Sequence, residues 1–257
     1  YAHLRAVLRR MLSVTGVLRI DHVMGLYRMF CVPEGHDGTH GAYVRYPEDE
    51  MFAIVMIEAA RVGAMVVGED LGTVPPPVRT IMKRAGILGM HVQQFALGAG
   101  PGPSIEPAGS HVLASLNTHD TPTFAGFWKA DDATLRQTLG QTDEAGAAAE
   151  RSGRARTRRA VAAELRKLKL PANTARDAAI SIMRLQARGP APITLVNLED
   201  LWGERRPQNV PGTSTEYPNW RRRTAGPLRS ILNDAGIAAA LSSLRRERRR
   251  RPTKGRP

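Results

Sequence analysis

Apolar positions along the chain switch period several times, and each switch marks an element. Leu4, Val7, Leu8, Met11 and Leu12 recur at helical spacing and predict a one-faced helix that stops near Gly16. Val17-Leu18-Arg19-Ile20 follows as a short buried strand. Pro47 opens a second helix, and Glu48, Asp49 and Glu50 load its first turn with the negative charge that a helix N-terminus favours. Met51, Ile54, Val55, Ala59 and Val62 form its stripe, and Gly63 stops it. A second strand covers 64–67, and Val78, Ile81, Met82 and Ala85 mark a third helix ending near Gly86. Further strands are expected over 89–95, 112–116 and 193–198. Between them lie a weak helix over 131–139, an exposed helix or loop over 143–159, and a better helix on Ala175, Ala178, Ala179, Ile182 and Met183. A last helix begins at Leu228 and continues past Gly236 to Leu244. Strands that alternate with helices imply right-handed βαβ units around a parallel sheet, an α/β fold with five such strands.

Composition narrows the class. With 257 residues, 42% of them hydrophobic, the chain can bury a sizeable core, which excludes collagen and a fully disordered polymer. No run of about 18 apolar residues is present, so no membrane span is expected. The single cysteine, Cys31, cannot form an internal disulfide and suits a reducing compartment, the cytoplasm. The net charge of +13 is unevenly placed. Residues 221–257 hold 12 basic and 2 acidic side chains, residues 151–170 hold 8 and 1, and the remaining body is mildly acidic. Residues 245–257 read as a disordered Arg-rich tail that binds polyanions such as nucleic acid without specificity. Aromatics at 5% leave little for a stacking platform.

Candidate chemistry gathers at three predicted strand ends. These read Arg19-Ile20-Asp21-His22, Gly68-Glu69-Asp70-Leu71-Gly72 and Asn117-Thr118-His119-Asp120-Thr121. Parallel α/β sheets and barrels bind ligands at the C-terminal ends of their strands. Three acids there are expected to converge on one site. Strands lie ~4.8 Å apart, so Asp21 and Glu69 on neighbouring strands match the ~5 Å carboxyl separation of a retaining glycosidase. A helix cap accounts for any one of these acids but less well for three. A metal centre is the rival reading. The two histidines at these strand ends, His22 and His119, do not have i,i+4 spacing, and Arg19 puts positive charge where the cation would sit, so neither metal nor cofactor is expected.

These stretches resemble the 4-alpha-glucanotransferase family, also called amylomaltase or disproportionating enzyme. Leu18–His22 with Gly25-Leu26 and Val32-Pro33 matches one block, Val67–Val74 a second, and Asn117–Thr123 with Gly126 and Trp128 a third. Asn197–Asp200, Asn209–Thr213 and Pro218-Asn219-Trp220 match the fourth. The resemblance covers residues 15 to 223 in order. It implies a (β/α)8 TIM barrel and retaining transfer of α-1,4-glucan segments to an acceptor 4-hydroxyl through a covalent glycosyl-enzyme. It assigns Asp21 as nucleophile, Glu69 as general acid/base and Asp120 as the group that binds sugar hydroxyls and stabilises the transition state. Arg19 holds Asp21 ionised and His119 binds a sugar hydroxyl. His22 and Asp70 stand as supporting residues, His22 on the opposite side of a regular strand and Asp70 as a cap or hydrogen-bonding orienter. Maltooligosaccharides and other α-glucans are the implied substrates. Two other readings remain: an α-amylase-type glucan hydrolase, and a non-catalytic fragment that binds polyanions through its arginines.

The sequence departs from the family pattern in two places. Phe30-Cys31 stands where the family carries a Trp. The strands before the Arg-Ile-Asp-His block are missing, so the five strands correspond to strands four to eight of the barrel, a partial barrel. With Tyr1 rather than Met at the start, this predicts a piece of a larger enzyme, inactive alone, whose missing N-terminal half is its partner. Residues 1–226 are then the catalytic part, 227–244 a terminal helix and 245–257 the tail. Trp128, Trp202 and Trp220 are expected as buried anchors. Glu199-Asp200 is a helix cap or sugar contact, and 209–213 a Gly/Pro turn.

Overall fold

The computed structural model describes residues 1–98, 105–224 and 226–250. The chain forms two compact units, Tyr1–Met90 with His111–Leu113, and His91–Ser110 with Ala114–Pro257. Strands alternate with helices in both, an α/β architecture.

In the first unit, α1 (Ala2–Leu12) leads into β1 (Val17–Ile20) and a 3-10 turn, Val23–Leu26. An antiparallel hairpin follows, β2 (Arg28–Cys31) against β3 (Ala42–Arg45). Then come α2 (Glu48–Ala60), β4 (Met65–Gly68) and α3 (Pro76–Ala85). β1 and β4 pair in parallel with Ile20 opposite Gly68, and Val67 bridges Leu88 in parallel on the other side. Leu8, Leu12, Phe52, Val55, Ala59, Val66, Val78 and Met82 fill the core beneath. The helical stripes drawn from periodicity supply most of these, because each helix must cover a sheet face. Glu58 is buried on α2, where it accepts 2.8 Å and 2.9 Å hydrogen bonds from Arg9 of α1. Gly68 is glycine for a steric reason: a Cβ there would lie 2.7 Å from Val23 Cγ2.

The boundary between the units crosses β5 (Gly89–Val92) and β6 (Val112–Ser115), which form a three-stranded sheet with β7 (Ile193–Leu195) in the order β5-β6-β7. The second unit otherwise holds α4 (Gln93–Gly98), α5 (Phe124–Lys129), α6 (Asp131–Thr138), α7 (Glu144–Lys167), α8 (Ala175–Arg188), α9 (Leu198–Trp202), α10 (Leu228–Leu232) and α11 (Ala235–Arg249). Phe124, Leu116, Leu165, Ile182, Met183 and Leu201 are its most buried apolar side chains. Each contributes about 2 kcal/mol by leaving water.

α1 ends at Leu12 with Gly16 following as expected, and Ser13 at its C-cap donates from its N–H to Arg9 O and from its hydroxyl to Arg10 O. Several other boundaries differ from expectation. The strand expected over 89–95 stops at Val92, and the buried Gln93 and Gln94 open α4. The side-chain oxygen of Gln93 accepts from Gln186 Nε2 of α8. The segment 143–159 is neither loop nor wholly exposed. It belongs to the 24-residue α7, capped by Asp143 and burying Ala147, Val161 and Leu165. The hairpin β2–β3 was not foreseen. Its ten-residue connection carries no tight-turn signature, and Arg28 lies over the Tyr43 ring at 3.8 Å.

The C-terminal boundaries are corrected too. The expected terminal helix 227–244 is two helices, split where Asp234 caps α11 through Ile237 N–H. The expected disordered tail 245–257 is helical through Arg249. The physical reason is Glu247, buried and bonded by Arg184 and Arg188 of α8. Arg248 adds a 2.6 Å bond to Ala191 O. The rest of that segment, 251–257, lies outside the described residues. No helix among the described residues is long and apolar enough to cross a membrane.

Candidate active site

Asp21 and Glu69 each stand one residue past the paired ends of β1 and β4. The backbone continues the register there: Glu69 N–H donates to Ile20 O at 2.9 Å, and Val23 N–H donates to Glu69 O at 3.0 Å. Asp21 is exposed and forms an ion pair with Arg19, Nη2 to Oδ1 2.8 Å. Glu69 is half-buried, and its carboxylate is held by main chain alone. Oε2 accepts His22 N–H at 2.9 Å and Oε1 accepts Leu71 N–H at 2.7 Å. Each oxygen has two lone-pair positions and these bonds use one apiece, which leaves room for a further hydrogen-bonding partner.

The strand has ended before His22, so His22 is not on the far side of a regular strand. It takes a left-handed conformation, φ 46 and ψ 62, which turns its N–H toward Glu69. Asp70, expected as a cap or hydrogen-bonding orienter, follows Glu69 directly in the chain. It is buried, and it accepts Met90 N–H at 2.8 Å and Arg79 Nε at 3.0 Å, fixing the segment after β4 to α3 and β5.

In the second unit, Asp120 lies on the segment between β6 and α5. Its Oδ2 is 3.1 Å from His119 Nε2, and its Oδ1 accepts a 2.7 Å bond from Asn209 Nδ2. The 209–213 stretch is therefore more than a turn. Asn209 is a partner of Asp120 that turn reasoning missed, since the two lie 89 positions apart. Trp220 is likewise not a buried anchor. It is 60% exposed, with its ring 5.4 Å from that of His119. Trp128 is buried as expected. Asp200 does not cap α9, whose N-cap is Asn197. It is 2% exposed, and burial pushes its carboxyl up to about 6, against the pull of Phe124 N–H and Asn117. Asn197 donates to Asn117 O at 3.2 Å.

Cavities in the second unit differ in chemistry. One of about 220 Å3 is lined by Asn117, His119, Asp200 and Trp220, and another of about 210 Å3 by Asp120 and Asn209. A larger cleft of about 740 Å3 beside α6 holds none of the expected site residues. Polar convergence rather than volume marks the site, because orientation of a ligand depends on a few placed polar groups. Among the described residues, no group of three or more His, Cys, Asp or Glu is placed to hold a metal ion.

Comparison with known proteins decides the family. Residues 1–229 match the family described as 4-alpha-glucanotransferase. The chain belongs to the 4-alpha-glucanotransferase family. A relative named 4-alpha-glucanotransferase from Mycobacterium tuberculosis (strain ATCC 25618 / H37Rv) is 39% identical over 95% of this chain and 36% of its own length. One from Haemophilus influenzae is 35% identical over 86% of this chain and 33% of its own. The amylomaltase of Corynebacterium glutamicum superposes with a TM-score of 0.84 at 27% identity, over 95% of this chain and 38% of that one. The chain thus spans about a third of the length of the curated relatives it matches.

Proposed function

We propose that this 4-alpha-glucanotransferase family chain carries the retaining glucan-transfer chemistry, with Asp21 as nucleophile and Glu69 as general acid/base. One observation carries the reading. Two adjacent parallel strands end in register, and the next residue on each is a carboxylate. Strand spacing of ~4.8 Å suits the ~5–5.5 Å that separates the acids of a retaining enzyme. Asp21, beside Arg19, attacks the anomeric carbon of an α-1,4-linked glucose. Glu69 gives its proton to the departing glycosidic oxygen. A covalent glycosyl-enzyme forms on Asp21 and the reducing-end fragment leaves. Glu69, now a carboxylate, takes the proton from an acceptor 4-hydroxyl as that oxygen displaces Asp21. Backbone bonds from His22 and Leu71 keep Glu69 in one pose through both steps. Asp120 and His119 bind sugar hydroxyls, with Asn209 directing Asp120. The substrate class, maltooligosaccharides and other α-glucans, is neutral and does not need the net charge for steering.

The same proposal includes the architecture. The chain carries strands four to eight of a (β/α)8 barrel, and residues 1–226 belong to the catalytic part. Support comes from the alternating strands and helices and from the share of the relatives' length that the chain spans.

The test incubates the chain with maltotriose, alone and with the separately expressed N-terminal portion of the Mycobacterium tuberculosis relative. A 5-fluoro-glucosyl fluoride serves to trap the intermediate. The expected result is feeble turnover alone, longer maltooligosaccharides plus glucose with the added portion, and a glycosyl label on the Asp21 peptide. Glu69→Gln is expected to lower transfer about 10²–10⁴-fold. A label on another residue, or turnover indifferent to Asp21→Asn, overturns the assignment. Shorter sugars without longer products identify a hydrolase. Robust transfer by the chain alone overturns the partial barrel.

A further inference from the structure

We propose that Asp200 is a positioning residue for the segment 117–124, and that one oxygen of its carboxylate fixes both ends of that segment. The inference rests on the functional reading above, because this segment carries His119 and Asp120. Asp200 Oδ1 accepts Asn117 Nδ2 at 3.1 Å and Phe124 N–H at 3.1 Å. These donors begin and end the eight-residue segment 117–124 that leads from β6 into α5. Within the step, Thr121 folds the chain on itself: its hydroxyl accepts Thr118 N–H and donates to Thr118 O, both at 3.0 Å. Asp120 N–H bonds Thr118 Oγ1 at 3.2 Å. The segment is therefore a closed turn hung from a single atom on α9. Asn197, at the end of β7, holds Asn117 from the other side.

Helix capping does not explain Asp200. The cap of α5 is Thr123, whose hydroxyl accepts Gly126 N–H at 3.2 Å. Nor does simple core polarity. Among the described residues, Asp200 Oδ2 is buried without a hydrogen-bond partner, which costs stability that core packing alone does not call for. Burial raises the Asp200 carboxyl to about 6, and the charge of neighbouring Glu199 pushes the same way. An anion kept under those conditions binds two N–H donors more firmly than a neutral acceptor would. What the fold obtains is a fixed direction for the side chains of His119 and Asp120.

The experiment compares Asp200→Ala and Asp200→Asn with the unaltered chain. Three readouts are used: amide hydrogen exchange, NMR signals of the His119 ring protons, and maltotriose kinetics in the complemented preparation. Asp200→Ala is expected to speed exchange of the Phe124 amide about tenfold or more, the equivalent of losing one charge-assisted bond. The His119 signals should lose the displacement imposed by the Trp220 ring, while α7 and α8 stay protected. Asp200→Asn, which keeps an acceptor oxygen, should fall between, about threefold faster in exchange. In kinetics, kcat should drop in the same order with KM nearly constant. A flat series, with Phe124 exchange and His119 signals unchanged in both variants, overturns the proposal. So does loosening spread evenly over α7 and α8, which would make Asp200 a packing residue. Should Asp200→Ala not fold, Asp200→Asn alone decides, and unchanged exchange counts against the idea. A loosened segment in a protein that transfers no glucan under any condition leaves positioning intact and sinks the functional reading instead.

Discussion

Glu58 in the first unit and Asp200 in the second are equally buried acids, at 3% and 2% exposure, yet they sit in opposite electrostatic settings. Glu58 is surrounded by the guanidinium groups of Arg5, Arg9 and Arg61, and the Arg9 hydrogen bonds hold its carboxyl down at about 2. Asp200 meets only neutral donors, and burial lifts it to about 6. The first arrangement favours the folded state at neutral pH and clamps α1 to α2. The second works against it. A fold tolerates such a cost where the group serves something other than stability. The contrast therefore separates an acid that builds the molecule from one that aims its site.

The largest test of this contrast is acid titration of the second unit. Asp200 binds its proton more tightly when folded than its ordinary value of 3.8 allows unfolded. Stability of this unit should thus rise as pH falls from 6 to 4, by about 3 kcal/mol. Urea denaturation followed by tryptophan fluorescence reads it, since Trp128, Trp202 and Trp220 all lie there. Asp200→Asn should flatten that slope and stabilise the unit at pH 7; a slope that persists would break the comparison.

Next in size is a third buried acid. Asp70→Ala orphans Met90 N–H and Arg79, and should cost about 2 kcal/mol, seen as faster amide exchange across α3 and β4. A cost shared equally by α7 and α8 would contradict a local clamp. The Glu58 effect should be smaller, because Arg5, Arg9 and Arg61 are about half exposed and water screens them. Its sign is opposite to that of Asp200. Protection of α1 and α2 should weaken as pH falls from 4.5 toward 2, and Glu58→Gln should remove that dependence. The smallest effect is at His22. His22→Gly relieves a left-handed residue at φ 46 but loosens the unfolded chain, so stability should change by less than about 1 kcal/mol. A large loss would show that the ring itself supports the kink.

What the sequence made legible follows from range. Asp21, Glu69 and Asp120 could be read because each sits where a short apolar run stops, and the acid and its strand are neighbours in the chain. Asp200 and Asn209 could not, because their partners Asn117 and Asp120 lie 83 and 89 residues away. The hairpin β2–β3 escaped notice because its strands are largely exposed and show no alternation. The Ala- and Arg-rich 143–159 gave little periodicity, since its burial comes from small side chains such as Ala147. Glu247 did carry a signal: a lone acid inside an arginine run is the residue most in need of partners.

That glutamate changes what the basic terminus is. Arg184 and Arg188 are turned onto Glu247, and Arg248 onto main-chain oxygens, so part of the positive charge is spent as a latch. Among the described residues of α11 and its C-cap, a competing phosphate polymer meets the outward Arg245, Arg246, Arg249 and Arg250 without prising α11 from its seat. Trypsin, which cuts beside arginine, should meet the same restriction and nibble the exposed rim while sparing the latch.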